Sequence, residues 1–137
     1  MKPKRRTAAG LALSALLAAS PAAYAACDAG PGVLRGETSK VALAFRTTPP
    51  VIKVGELFSL RAEVCPQAGT RVSGLKVDAS MPAHKHGMNY QPRVRQTGPG
   101  SYAATGLMFH MPGRWQFTFD VETPAGRERI HVDYTAE

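Results

Sequence analysis

Beyond residue 38 the chain alternates apolar and polar residues with a period of two. The run from Trp115 to Val121 shows it best, with apolar residues at every second position and Gln116, Thr118 and Asp120 between them. A period of two places apolar side chains on one face of a strand and is typical of antiparallel sheets with one face in water. The same pattern predicts further strands at residues 41–45, 58–64, 75–80, 92–96, 102–109 and 129–134.

Glycine and proline separate these runs, as residues that favour turns do. They occur at residues 48–50, 68–69, 98–100, 111–113 and 124–126, and no segment beyond residue 25 shows a convincing helical stripe. Short strands separated by turns about every 8–12 residues are typical of β-sandwiches. We therefore predict an all-β fold, an immunoglobulin-like antiparallel β-sandwich of about seven strands.

The first 25 residues have the features of a cleavable secretory signal. Basic residues between Met1 and Arg6 precede a short apolar run, Leu11 to Ala19, and Ala23-Tyr24-Ala25 provides the small residues that signal peptidase recognises. The apolar run is too short to span a bilayer. We therefore expect residues 1–25 to be removed and the protein to be exported to the periplasm.

The net charge falls when the signal is removed. The whole chain has 17 basic and 10 acidic residues, a net charge of +7, and the four basic residues of the signal reduce it to +3. The remaining basic residues are scattered singly along the sequence, which argues against a nucleic-acid partner. We expect residues 26–38, rich in Gly and Pro, to be an N-terminal tether and residues 39–137 to be one monomeric domain.

The two cysteines, Cys27 and Cys65, are predicted to form a disulfide, as paired cysteines of exported proteins do. The bond would tie the N-terminal segment to the end of a strand. Two alternatives remain open. Lipidation of Cys27 is weakened by Tyr24, which stands where a lipidation signal has leucine. A thiolate metal site is less favoured in an oxidising compartment.

Methionine and histidine are clustered in two short windows. Residues 26–137 contain four of each, and seven of these eight lie at residues 81–88 and 108–111. Thioether and imidazole together suit the soft ion Cu(I). One predicted strand leads away from the first window and the next returns to the second, so both windows should meet at one end of the sandwich.

The predicted metal ligands come from both windows. His84 and His86 are two residues apart and would project to the same side of an extended segment, although a solvated polar loop is an equal alternative. Met81 is a weaker candidate because it ends a strand and favours the core. The predicted site consists of His84, His86, Met88, His110 and Met111.

The remaining His, Met and aromatic residues are predicted to be structural. Met108 is in phase with Tyr102 and Ala104 and should pack in the core, as should Trp115. His131 faces outward on its strand. Tyr90 would either shield the site or anchor its loop.

Catalysis has little support in the sequence, which lacks a nucleophile beside a base, a phosphate-binding loop and a carboxylate pair. A copper oxidase is disfavoured because thioethers hold reduced copper. We predict a non-enzymatic copper chaperone or buffer that binds Cu(I), with zinc less favoured. Its partner would be a protein that donates or accepts copper, and a membrane-bound protein would also fit this role. The alternative is a non-metal periplasmic interaction module that assists a membrane or oxidase-assembly partner.

The His/Met windows resemble the YtkA-like family of small exported bacterial proteins and domains. The residues that carry the resemblance are the stretch from Asp78 to Met88, Gly100-Ser-Tyr102, and the stretch from Gly106 to Trp115. The resemblance covers about the last hundred residues. It implies a β-sandwich in the periplasm or at the cell surface and, for members with these His and Met residues, a role in copper handling.

Overall fold

The computed structural model describes residue 27, residues 30–67 and residues 69–137, and the predicted signal lies outside them. No helix in these residues is long and apolar enough to cross a membrane. The described chain forms nine strands, which are β1 (Leu34–Glu37), β2 (Val41–Thr48), β3 (Leu57–Pro66), β4 (Gly74–Met81), β5 (His86–Gly87), β6 (Arg93–Gly98), β7 (Ser101–Met108), β8 (Gly113–Thr123) and β9 (Gly126–Ala136).

The strands form two antiparallel sheets that pack face to face. One has the order β1-β2-β3-β7-β6 and the other the order β5-β4-β8-β9. Their inner faces enclose a core whose largest fully buried side chains include Trp115 and four phenylalanines, Phe45, Phe109, Phe117 and Phe119. Burial of these rings removes a large apolar area from water and stabilises the fold. The predicted immunoglobulin-like sandwich and the core position of Trp115 are confirmed.

Two strands lie where the sequence predicted none. β1 falls within the expected tether at residues 26–38 and pairs with β2, with Leu34 opposite Phe45. β5 falls within the first His/Met window and pairs with the end of β4, with Met81 opposite His86. Each strand is short, so its pairing depends on the neighbouring strand rather than on an alternation of its own.

The predicted disulfide between Cys27 and Cys65 is present, with the two Cα atoms 6.0 Å apart. It lies with Ala42 and Ala44 in a small apolar cluster on the outer face of the five-stranded sheet. The bond occupies both thiols, so neither is available for a lipid or a metal. The bond fixes the N-terminal segment at the C-terminal end of β3, whereas Leu57 begins that strand at its other end.

A β-bulge interrupts β7. Leu60 of β3 pairs with Ala104, but Phe58 pairs with Leu107, so two residues of β7 stand opposite one of β3. One of the two is Gly106, with a φ of +80°. Glycine adopts this conformation without steric cost, which makes it the usual residue of such bulges.

The bulge shows that the predicted phase of Met108 was wrong. Met108 was expected to face the core with Tyr102 and Ala104, but the fully buried residues beyond the bulge are Leu107 and Phe109. One extra residue moves every later side chain of a strand to the opposite face. Met108 is therefore half-buried on the outer face, opposite exposed Leu57.

Candidate metal site

The two His/Met windows meet at one end of the sandwich, as the order of strands predicted. β4 ends at Met81, β6 leads away, and β7 returns to Met108. The ring centroids of His86 and His110, one from each window, lie 5.1 Å apart. Those of His84 and His86 lie 5.8 Å apart. The three imidazoles thus form a chain with His86 in the middle.

These spacings allow neighbouring imidazoles to share one metal ion. Each metal–nitrogen bond is about 2 Å long, so two rings on one ion have centroids at most about 6 Å apart. Both pairs lie within that limit. His84 is exposed, whereas His86 and His110 are half-buried. The pair of His86 and His110 is therefore the better protected of the two.

The segment that carries His84 and His86 is not extended, contrary to the expectation from their spacing. Pro82–His84 forms a 3-10 turn that begins at proline and ends at Lys85, whose φ is +55°. Proline's fixed φ favours the first position of such a turn. The turn, rather than the alternation of a strand, brings the two rings together.

Trp115 supports the two better protected histidines. Its indole contacts the rings of His86 and His110 edge to face, at centroid distances of 6.0 and 5.4 Å. The ring of Phe109 stacks on this indole, with centroids 4.4 Å apart and planes 9° apart. The indole N–H donates a hydrogen bond of 2.9 Å to the carbonyl oxygen of Met111. The sequence predicted Trp115 only as a core residue, because these contacts depend on tertiary packing.

The ring nitrogens of the two histidines have different surroundings. Nδ1 of His86 lies 3.1 Å from the carbonyl oxygen of Gly87. In the tautomer that donates this hydrogen bond, Nε2 keeps its lone pair for a ligand, as in many metal-binding histidines. Nδ1 of His110 is buried and has no hydrogen-bond partner among the described residues. A buried nitrogen without a partner costs free energy, and a bound water or ion commonly accounts for one.

The methionines divide into rim and core residues. Met88 and Met111 are half-buried and pack against the core cluster. The backbone N–H of Met88 donates to the carbonyl oxygen of Ala79, which ties its loop to β4. Met81 is 2% exposed, as its predicted preference for the core requires. A Cβ atom added to Gly113 would lie 3.0 Å from the Cε atom of Met81, which shows how closely Met81 is enclosed.

No three histidine, cysteine, aspartate or glutamate side chains within the described residues are grouped so that they could hold a metal ion by themselves. The structure thus offers pairs of imidazoles. The predicted thioether ligands, Met88 and Met111, both pack against the core cluster.

Two other residues that the sequence singled out are more exposed than His86 and His110. His131, on β9, is exposed as predicted, and one of its ring nitrogens lies 3.2 Å from the hydroxyl of Thr118. Tyr90 is 50% exposed, so half of its side chain is in contact with solvent.

A family model described as YtkA-like matches residues 36–120. This range includes both His/Met windows and the strands that bring them together. The chain belongs to the YtkA-like family. The resemblance of its motifs to that family is thereby confirmed.

The fold of this YtkA-like chain is similar to the crystal structure of a DUF4426 family protein from Pseudomonas aeruginosa, with a TM-score of 0.51. The match covers 76% of this chain and 94% of that one, at 8% sequence identity. At this identity the likeness concerns the fold alone. No curated protein matches the sequence.

Proposed function

We propose that this YtkA-like protein is an exported, periplasmic copper-binding protein that holds Cu(I) at the His/Met end of its sandwich, as a chaperone or buffer. The observation that carries the proposal is the meeting of His86 and His110, 5.1 Å apart, with the buried Nδ1 of His110 left without a partner. A metal ion bound by the two rings would satisfy that nitrogen.

The ligand types favour Cu(I) over zinc. Zinc sites in proteins use three or four nitrogen, oxygen or thiolate ligands, and no such group of three is assembled in the described residues. Thioethers, which Met88 and Met111 provide at the rim, select Cu(I). They also favour reduced copper over the oxidised ion, which supports storage or transfer of copper rather than catalysis.

An exported location is supported by two independent features. Residues 1–25 have the composition of a secretory signal. The disulfide between Cys27 and Cys65 belongs to an oxidising compartment, because thiols in the cytoplasm are kept reduced.

A competition titration of Cu(I) against a chromophoric chelator tests the proposal. We expect the double substitution His86→Ala/His110→Ala to weaken binding at least about a hundredfold, since it removes both imidazoles of the protected pair. His131→Ala is the matched control, because it removes an exposed imidazole away from the two windows. If the folded wild-type protein does not compete for Cu(I), or if both variants bind alike, the copper proposal is wrong. Failure to compete would favour the alternative, the interaction module.

Isosteric substitutions test the role of the thioethers. Met88→Leu and Met111→Leu keep the apolar volume that packs against the core, so the fold should tolerate them. We expect each to weaken Cu(I) binding and to leave Zn²⁺ binding unchanged. The lone tryptophan of the chain, Trp115, touches both histidines, so its fluorescence provides a second readout of metal binding. Equal effects on the two metals would argue against thioether ligation.

A further inference from the structure

The register of the five-stranded sheet aligns three arginines on its outer face. Arg46 of β2 lies directly opposite Arg61 of β3. Arg61 lies opposite Ala103 of β7, which in turn lies opposite Arg95 of β6. Residues directly opposite one another share a face of the sheet, and neighbouring strands are about 4.8 Å apart. The arginines therefore form a row about 14 Å wide across four strands.

Further charges on this surface are mostly positive. Two more arginines occupy outward positions, since Arg35 lies opposite Ala44 and Arg93 lies opposite Thr105. We call the surface the arginine face and define it by Arg35, Arg46, Arg61, Arg93 and Arg95. The acidic residues at outward positions of the same strands are Glu37 and Glu63. The outward positions of these described strands thus carry a net charge of +3.

The opposite sheet provides the contrast, because its outward charges cancel. Its four basic residues are Lys76, Arg114, Arg127 and Arg129, and its four acidic residues are Asp78, Asp120, Glu122 and Asp133. Ion pairs join most of them, including Arg129 with Asp120 and Arg114 with Asp133. The outward positions of the five-stranded sheet therefore carry a net positive charge that those of the four-stranded sheet lack.

Such an arrangement does not stabilise the sheet by itself. Like charges directly opposite on neighbouring strands repel each other, as Arg46 and Arg61 do. Arg46 also donates a hydrogen bond of 3.2 Å to the carbonyl oxygen of Pro31. Guanidinium groups bind carboxylates with two parallel hydrogen bonds, so a row of arginines suits a partner that presents carboxylates.

The shape of the surface suits a protein partner. Beside the arginine row lies a cavity of about 250 Å³, lined by residues that include Val33, Ala44, Arg61 and Glu63. It is large enough to receive a side chain. Towards the His/Met end the same face carries Leu57, which is 60% exposed, opposite half-buried Met108. Arginine and methionine are both enriched in protein–protein interfaces.

We propose that the arginine face is a docking surface for an acidic protein partner, whose carboxylates bind the arginine row and whose apolar side chain contacts Leu57 and Met108. The face contains Glu63 and a cavity the size of a side chain, which fit a shaped protein surface better than a uniformly anionic bilayer. Met108 is two residues from His110, so the bound partner lies next to the candidate metal site. The inference goes beyond the proposed function and does not depend on copper binding.

Fluorescence anisotropy with a labelled peptide of alternating glutamate and serine tests the proposal on the protein with its disulfide intact. Alternate residues of an extended peptide are about 7 Å apart, so three glutamates span the row. We expect Arg61→Gln/Arg95→Gln to weaken binding about three- to tenfold, because each lost exposed ion pair has a modest effect. Arg71→Gln/Lys76→Gln is the matched control, since it removes two positive charges outside the arginine face and should bind like wild type.

Three results would overturn the inference. The first is equal weakening by both double variants, which would indicate attraction to net charge alone. The second is no binding of the glutamate peptide by the wild-type protein in low salt. The third is binding only to vesicles of phosphatidylglycerol and phosphatidylcholine, which would make the face a membrane surface. The Cu(I) affinity of Arg61→Gln/Arg95→Gln should match that of wild type. The test of the docking surface is therefore separate from the test of the copper proposal.

Discussion

His110 owes its position to the side chains around it. Its ring lies edge-on to Trp115 and 5.1 Å from the ring of His86, and its Nδ1 is buried. The sequence identified this residue as a candidate ligand from its neighbours in the chain. Only the tertiary structure shows which nitrogen is shielded from water, and therefore which one a ligand would have to satisfy.

Asp120 is an acidic residue with a structural role, at the centre of the ion pairs on the four-stranded sheet. It is 8% exposed, and Arg129 donates two hydrogen bonds to its carboxylate, of 2.6 and 2.8 Å. These hydrogen bonds, more than the nearby positive charges, hold the pKa of Asp120 below its usual value of 3.8. The ionised form is therefore more stable in the folded protein than in the unfolded chain.

We expect Asp120→Asn to lower the free energy of unfolding by about 1–2 kcal/mol at neutral pH. Folding lowers the pKa of Asp120 below its unfolded value of 3.8. The stabilisation is therefore fully present above pH 3.8, and it is lost as the pH falls towards the lower pKa of the folded protein. Urea denaturation of both proteins across this range measures the effect. The difference between them should shrink below about pH 4.

Asp133→Asn is the control for this prediction. Its carboxylate pairs with Arg114, and that contact lowers its pKa, but its side chain is 45% exposed. The effect of this substitution should be smaller, because solvent screens the pair. A constant difference between wild type and Asp120→Asn down to the lowest pH would contradict the assignment.

At the level of single elements, the bulge in β7 determines which residues reach the candidate site. Without the extra residue at Thr105–Gly106, Leu107 and Phe109 would face outward and Met108 and His110 would face the core. Phe109 could then no longer stack on Trp115. A regular alternation cannot predict this, because a bulge is a local change in pairing between two strands.

We expect Gly106→Ala to lower the free energy of unfolding by about 1–2 kcal/mol and to weaken Cu(I) binding. An added Cβ would meet no atom within 4 Å, so the cost comes from the positive φ alone. Urea denaturation and the Cu(I) titration measure the two effects. Gly74→Ala is the control. Gly74 lies in β4 and does not have a positive φ, and a Cβ added there would make an ordinary contact at 3.7 Å. Equal losses for both variants would contradict the role of the bulge.

For the molecule as a whole, the two ends of the sandwich have different roles. The disulfide fixes one end, where β3 finishes at Pro66. The His/Met windows occupy the other, beside Leu57 at the start of β3 and Met108 at the end of β7. Ten residues of β3 separate the ends by about 30 Å. Stability and the proposed metal binding should therefore be separable.

Replacing both cysteines, Cys27→Ala/Cys65→Ala, tests this separation. The disulfide joins residues 38 apart, and loss of a cross-link closing such a loop lowers the free energy of unfolding by about 4 kcal/mol. We expect the variant, while folded, to keep the Cu(I) affinity of wild type. Urea denaturation and the chelator titration measure the two properties. A parallel loss of copper affinity would show that the two ends are coupled.

The sequence by itself determined the class of the fold, the disulfide pair and the identity of the candidate ligands. The alternation from Trp115 to Val121 predicts a half-buried strand, because burial of apolar side chains on one face is a local property of the pattern. The clustering of Met and His also requires no coordinates. Its two windows meet because antiparallel strands return to the same end.

Tertiary structure decided what depends on the partner of each strand. Strands β1 and β5, the bulge at Gly106 and the turn at Pro82–His84 follow from pairing and packing that no single segment specifies. The row of Arg46, Arg61 and Arg95 is likewise invisible along the chain, where these residues are scattered singly. Register brings them together, because a sheet places residues far apart in sequence about 5 Å apart across its strands.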